Sequence, residues 1–99
     1  MNNKIELNEE IKKKIISILI KHGIKKILVF GSYVRNEATP KSDLDLIVEF
    51  PEGTSLIDHV GIEIELSEAL NMKIDLLSRN GISPYIKNQV LKDAIVIYE

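Results

Sequence analysis

Apolar residues recur along the chain in two rhythms, one helical and one strand-like. Ile11, Ile15, Ile18 and Leu19 stand at i, i+4, i+7 and i+8, the spacing of a single buried helical face. Asn8 is a suitable N-cap, Glu9 and Glu10 sit where carboxylates favour the helix dipole, and Gly23 follows at a C′ position. Lys26 to Phe30 is nearly continuously apolar, as expected of a short strand covered on both faces. Leu44 to Phe50 predicts a second strand, with Leu46 and Val48 on one face and Ile47 and Glu49 on the other, ended by Pro51-Glu52-Gly53. Ser55 and Asp58 form a capping box for a second helix. Its expected buried stripe is Ile57, Val60, Gly61 and Ile64, with Gly61 admitting the sheet closely and Glu63, Glu65 and Glu68 in solvent. Lys73 to Leu77 predicts a third strand, Arg79-Asn80-Gly81 a turn, and Ser83 with Pro84 the start of a last helix running to about Asp93. Ala94 to Tyr98 reads as a terminal strand or an extended tail.

Three core strands with interleaved helices predict an α/β arrangement, an α+β two-layer sandwich with a small sheet flanked by helices. At 99 residues, one domain spanning 1–99 is expected, with little room for separate base-binding and acceptor-binding parts. The 44% hydrophobic and 28% charged content suits a soluble globular protein. A net charge of −2 matters more, because non-specific nucleic-acid binding needs a basic footprint. Lys12-Lys13-Lys14 is the densest basic run and reads as the wet face of the first helix. Direct nucleic-acid binding is therefore not expected. The chain has no cysteine, which excludes thiol catalysis, disulfides and cysteine-ligated metals. No apolar run approaches the ~20 residues of a membrane span, and the first residues lack a signal-peptide core, so a cytoplasmic location is expected.

The chemistry concentrates between the first two strands. An apolar run ends in Gly31-Ser32, a polar loop follows, and Ser42-Asp43-Leu44-Asp45 opens the next strand. Gly31 permits a sharp turn and a close backbone approach to a ligand. If a helical turn begins after it, the N–H groups of Ser32, Tyr33 and Val34 form an anion site of phosphate size. Asp43 and Asp45, at i and i+2, leave a strand by the same face. Like charges so placed call for a cation between them, and Mg²⁺ takes a few carboxylates together with phosphate oxygens. Either fragment alone is also what an ordinary turn or a solvated strand end gives; their combination is far more specific and points to nucleotide chemistry. For the cradle to face the carboxylates, the first two strands must run antiparallel, which makes the sheet mixed. Asp75, alone in an apolar strand, is either a strand-edge residue in water or a third carboxylate of the same site. His22 is read as a cation near a helix end, and His59 as a half-exposed helical residue rather than a catalytic one.

Gly31-Ser32-x-x-Arg35-x-Glu37 followed by Ser42-Asp43-x-Asp45-Leu46 resembles the signature of the minimal nucleotidyltransferases of the polymerase-beta superfamily. Within them it is most similar to the antitoxin partners of HEPN-domain toxins. The likeness extends through Lys73-Ile74-Asp75-Leu76-Leu77 and Ser83-Pro84-Tyr85-Ile86; Asn36 stands where the family usually carries Gly, and Glu37 where Asp is common. The resemblance implies the nucleotidyltransferase fold and transfer of AMP from ATP to a tyrosine of a HEPN toxin, in a hetero-oligomer. Two Mg²⁺ ions would be held by Asp43, Asp45 and Asp75. Gly31 and Ser32 would hold the β- and γ-phosphates. Arg35 would reach a phosphate or pair with Glu37 or Asp43. Two other readings stay open: an antitoxin that neutralises its partner by covering it, and a nucleotidyltransferase acting on a small molecule.

Overall fold

The computed structural model describes residues 9–31 and 43–99. The elements, in chain order, are α1 (Glu9–Lys21), β1 (Ile27–Phe30), β2 (Leu44–Val48), α2 (Leu56–Leu70), β3 (Ile74–Ser78), α3 (Pro84–Asp93) and β4 (Ile95–Tyr98), with a 3-10 turn at Arg79–Gly81. Asn8 and the 32–36 turn proposed from the sequence lie outside the described residues. The strands form one sheet in the order β3-β2-β1-β4. β1 runs antiparallel to β2 and β4, and β2 runs parallel to β3 through the α2 crossover, so the sheet is mixed. The terminal segment is thus a fourth strand added beside β1, with a register shift between Ile27 and Leu28. β2 ends two residues earlier than the apolar run suggested, ahead of Pro51 and the positive-φ Gly53.

Alternation along the strands divides the sheet into two faces. Ile27, Val29, Leu44, Leu46, Val48, Ile74 and Leu76 point to the face covered by α1 and α2, where Ile15, Leu19, Ile62 and Leu66 complete the buried core. Ile11 and Ile18 pack at its margin, so the stripe read in the first helix is the one that is buried. Leu28 and Ile47, paired across β1 and β2, are buried on the opposite face. α3 lies against β1.

The second helix departs from its expected orientation. Its buried residues are Ile62 and Leu66, whereas Ile57, Val60, Gly61 and Ile64 face outward. The capping box at Ser55 and Asp58 is present, and Asn71 closes the helix in a left-handed conformation. What selects the face is the exposed edge of β3. In a parallel pairing, alternate residues turn both backbone polar groups to the same side; those of Leu76 face away from β2. Glu63 accepts a hydrogen bond from the Leu76 N–H at 2.8 Å, and His59 Nε2 lies 2.6 Å from the Leu76 carbonyl. A carbonyl only accepts, so His59 donates from Nε2. Two helical residues at i and i+4 thereby stand in for a missing strand. Glu63 is accordingly half-buried and bonded, not solvated, and the His59 ring rests on Phe50 with centroids 4.6 Å apart.

Glu65 also differs from a freely solvated residue. It receives Lys21 Nζ at 2.7 Å and His22 Nε2 at 2.8 Å, tying α2 to the end of α1. These bonds, the Lys21 one first and then His22, hold its carboxyl below the ordinary value of 4.5. Among the described residues, no helix is long and apolar enough to cross a membrane.

Candidate active site

Of the proposed site residues, Gly31, Asp43 and Asp45 lie where β1 ends and β2 begins. Antiparallel pairing sets Phe30 opposite Asp45, and Gly31 follows with φ +82°. That left-handed conformation strains any residue bearing a Cβ. A Cβ there would also stand 2.5 Å from Asp45 Oδ2 and would push that carboxylate aside. The turn favours glycine here, and the Asp45 carboxylate keeps its present place only while no Cβ is added.

The parallel register then sets Asp45 directly beside Asp75. Paired residues on adjacent strands point to the same face, with the strands about 4.8 Å apart. Both side chains leave on the face opposite the main core, so neither disturbs the packing of Leu44, Leu46, Ile74 and Leu76. Asp45 is half-buried and Asp75 exposed. Asp43 is half-exposed just ahead of β2, and its Oδ2 lies 3.6 Å from Lys73 Nζ. Among the described residues, no three His, Cys, Asp or Glu side chains converge closely enough to hold a metal ion as they stand. The register brings Asp45 and Asp75 together, while Asp43 is drawn towards Lys73. Ser32, Arg35 and Glu37 lie outside the described residues.

Two features had not been read from the sequence. Lys73 is the near cation for Asp43, although it is exposed and such a pair is weak. A cleft of about 340 Å³ opens beside Gly31, walled by Phe30, Gly31, Gln89, Val90 and Asp93. α3 thus forms one side of the space next to the turn. Its residues carry no motif, and only the packing of α3 on β1 puts them there.

The donors fit a hard divalent cation. They are carboxylates and backbone groups, and the chain has no cysteine to favour a softer metal. The bare backbone of Gly31 lets the Asp45 carboxylate, one such donor, lie against the end of β1. Asp43, Asp45 and Asp75 are the residues that would hold such an ion.

Residues 13–99 match the family described as polymerase beta nucleotidyltransferase. The chain is 50% identical over 86 residues to a candidate protein adenylyltransferase of Methanocaldococcus jannaschii, covering 87% of this chain and 92% of that one. It is 36% identical over 75 residues to the protein adenylyltransferase MntA of Thermococcus cleftensis, covering 76% of each. A solved toxin–antitoxin structure with AMP-PNP superposes with a TM-score of 0.79 at 25% identity, over 88% of this chain and 72% of that one. The chain belongs to the polymerase-beta nucleotidyltransferase family. Within it, its kin are the minimal nucleotidyltransferases, and the chain is an enzyme of the nucleotidyltransferase class.

Proposed function

We propose that the chain transfers AMP from ATP to a tyrosine hydroxyl of a HEPN-domain toxin and so acts as its antitoxin. The observation that carries this reading is the placement of Asp45 beside Asp75 and against Gly31. A pair of carboxylates at the lip of a glycine turn suits a polyphosphate and its counter-ions. Relatives named as protein adenylyltransferases support a protein acceptor, and the toxin–antitoxin structure with AMP-PNP supports both the nucleotide and the partner.

Gly31 and Ser32, with the N–H groups that follow, hold the β- and γ-phosphates; Arg35 adds charge there. Asp43, Asp45 and Asp75 together would hold two Mg²⁺ ions. Such ions, when bound, would supply neutralisation of the charge on the phosphates. Asp75, exposed on β3, faces the acceptor and takes its proton. The tyrosine oxygen forms a bond to the α-phosphorus, the bond to the bridging oxygen breaks, and pyrophosphate leaves. Positioning and charge neutralisation carry most of such catalysis. The test is the mass of the partner after incubation with ATP and Mg²⁺: a gain of whole AMP units is expected. Neutralisation without any gain in mass favours an antitoxin that works by covering its partner.

A further inference from the structure

α2 is apolar on two opposite sides. Ile62 and Leu66 face the core, while Leu56, Ile57, Val60 and Ile64 form a second stripe on the outer face, 77%, 84%, 44% and 51% exposed. A surface helix normally keeps its outer face polar. Gly61 lies in this outer stripe, and a Cβ added to it would meet nothing within 4 Å. Nothing among the described residues requires a glycine there, yet a glycine inside a helix is destabilising. Its absent side chain leaves room for a close approach from outside. Beside it runs a groove of about 530 Å³ whose walls include Ile57, Asp58, Gly61 and Glu65.

Charge decides what fits. α2 carries Asp58, Glu63, Glu65 and Glu68 and has no Lys or Arg; Lys21 and His22 answer Glu65 alone. Two copies crossing through α2 would press acid on acid. We infer that the outer face of α2 docks an amphipathic helix of a partner protein, one whose apolar stripe is flanked by Lys and Arg. Its backbone crosses at Gly61, its apolar residues cover Ile57, Val60 and Ile64, and its cations meet Asp58 and Glu68. The inference rests on the proposed function only for the partner being a protein.

The probe is a synthetic amphipathic helix with a leucine stripe flanked by Lys and Arg, compared with a twin flanked by Glu. Fluorescence anisotropy against the whole chain reads the affinity, and sedimentation reads self-association. The basic helix is expected to bind and the acidic twin not. Ile64→Asp and Gly61→Leu should each weaken binding about tenfold or more, the range of a central contact. Gly61→Leu should at the same time leave the melting temperature of the lone chain unchanged or raised, since leucine favours the helix. Equal binding of the twins, or binding of neither, overturns the proposal. Self-association abolished by Ile64→Asp, without discrimination between the twins, assigns the face to a second copy and also overturns it. Specific binding of the basic helix by a chain that transfers no AMP leaves this surface standing and removes the proposed function.

Discussion

The carboxylate of Asp45 packs so closely against Gly31 that a Cβ added there would have to push it aside. One relationship therefore couples the turn proposed to hold phosphate to a carboxylate proposed to hold metal. Gly31→Ala must hold a left-handed conformation that strains it and must displace the Asp45 carboxylate. The backbone part alone costs about 1–2 kcal/mol. Gly31→Val should be worse, because β-branching obstructs the turn further. Ser32→Ala should cost less in nucleotide use, about 1.5–3 kcal/mol for one hydrogen bond to a charged group. Rates of AMP transfer alongside urea unfolding check the order, and a fully active Gly31→Val removes the phosphate cradle.

Asp45 and Asp75 stand side by side on a shared face, and their repulsion should be relieved by a divalent ion. ATP is therefore expected to bind with Mg²⁺ present and to bind far more weakly in EDTA. Calorimetry decides this. Equal affinity in both conditions contradicts a carboxylate-held metal.

Glu63 should matter more to stability than its surface position in the helix suggests. Glu63→Ala leaves the outward N–H of Leu76 without its acceptor, at about 1–3 kcal/mol. Glu68→Ala, in solvent on the same helix, should change urea stability by less than about 0.5 kcal/mol. Because the bond fixes β3 one residue from Asp75, Glu63→Ala should also lower transfer. Glu63→Gln keeps an acceptor oxygen and should recover most of both losses.

The clamp of Glu65 on Lys21 and His22 makes stability depend on pH in a defined direction. Its carboxyl is held below the ordinary 4.5, so its contribution is present above that value and is lost as pH falls through the depressed one. Glu65→Gln should melt below wild type at neutral pH, with the gap closing in acid. Added salt should narrow it too, because the pair is solvent-exposed. Melting curves across pH test this; a gap that widens in acid contradicts the assignment.

These particulars show where the sequence was legible. Gly31, Asp43 and Asp45 require strands one and two to be antiparallel, and the pairing of Ile27 with Val48 through Phe30 with Asp45 is the one observed. The first helix carries a single apolar stripe and could be oriented from spacing alone. The second carries two. Ile57, Val60, Gly61 and Ile64 fit a helical period as well as Ile62 and Leu66 do, so periodicity could not choose between them. The choice came from His59 and Glu63 meeting the open edge of β3, a long-range requirement invisible in local spacing. The same holds for Gln89, Val90 and Asp93, which reach the cleft beside Gly31 only through the packing of α3. The last strand was ambiguous because its four residues are apolar throughout and its partner, β1, lies far away in sequence.

The most direct test of the account is the mass of the partner toxin after incubation with ATP and Mg²⁺, for the wild-type chain and for Asp75→Asn. The substitution keeps volume and removes charge at an exposed strand position, so the fold should survive. Asp43, Asp45 and Asp75 serve one function, so losing any of them should abolish most of the rate, and double substitutions should add little. The account predicts whole AMP units on a tyrosine with wild type and almost none with Asp75→Asn. Undiminished modification by Asp75→Asn would remove that residue from the site. An unmodified partner that is still neutralised, by wild type and by the triple Asn variant alike, would contradict the account at its centre.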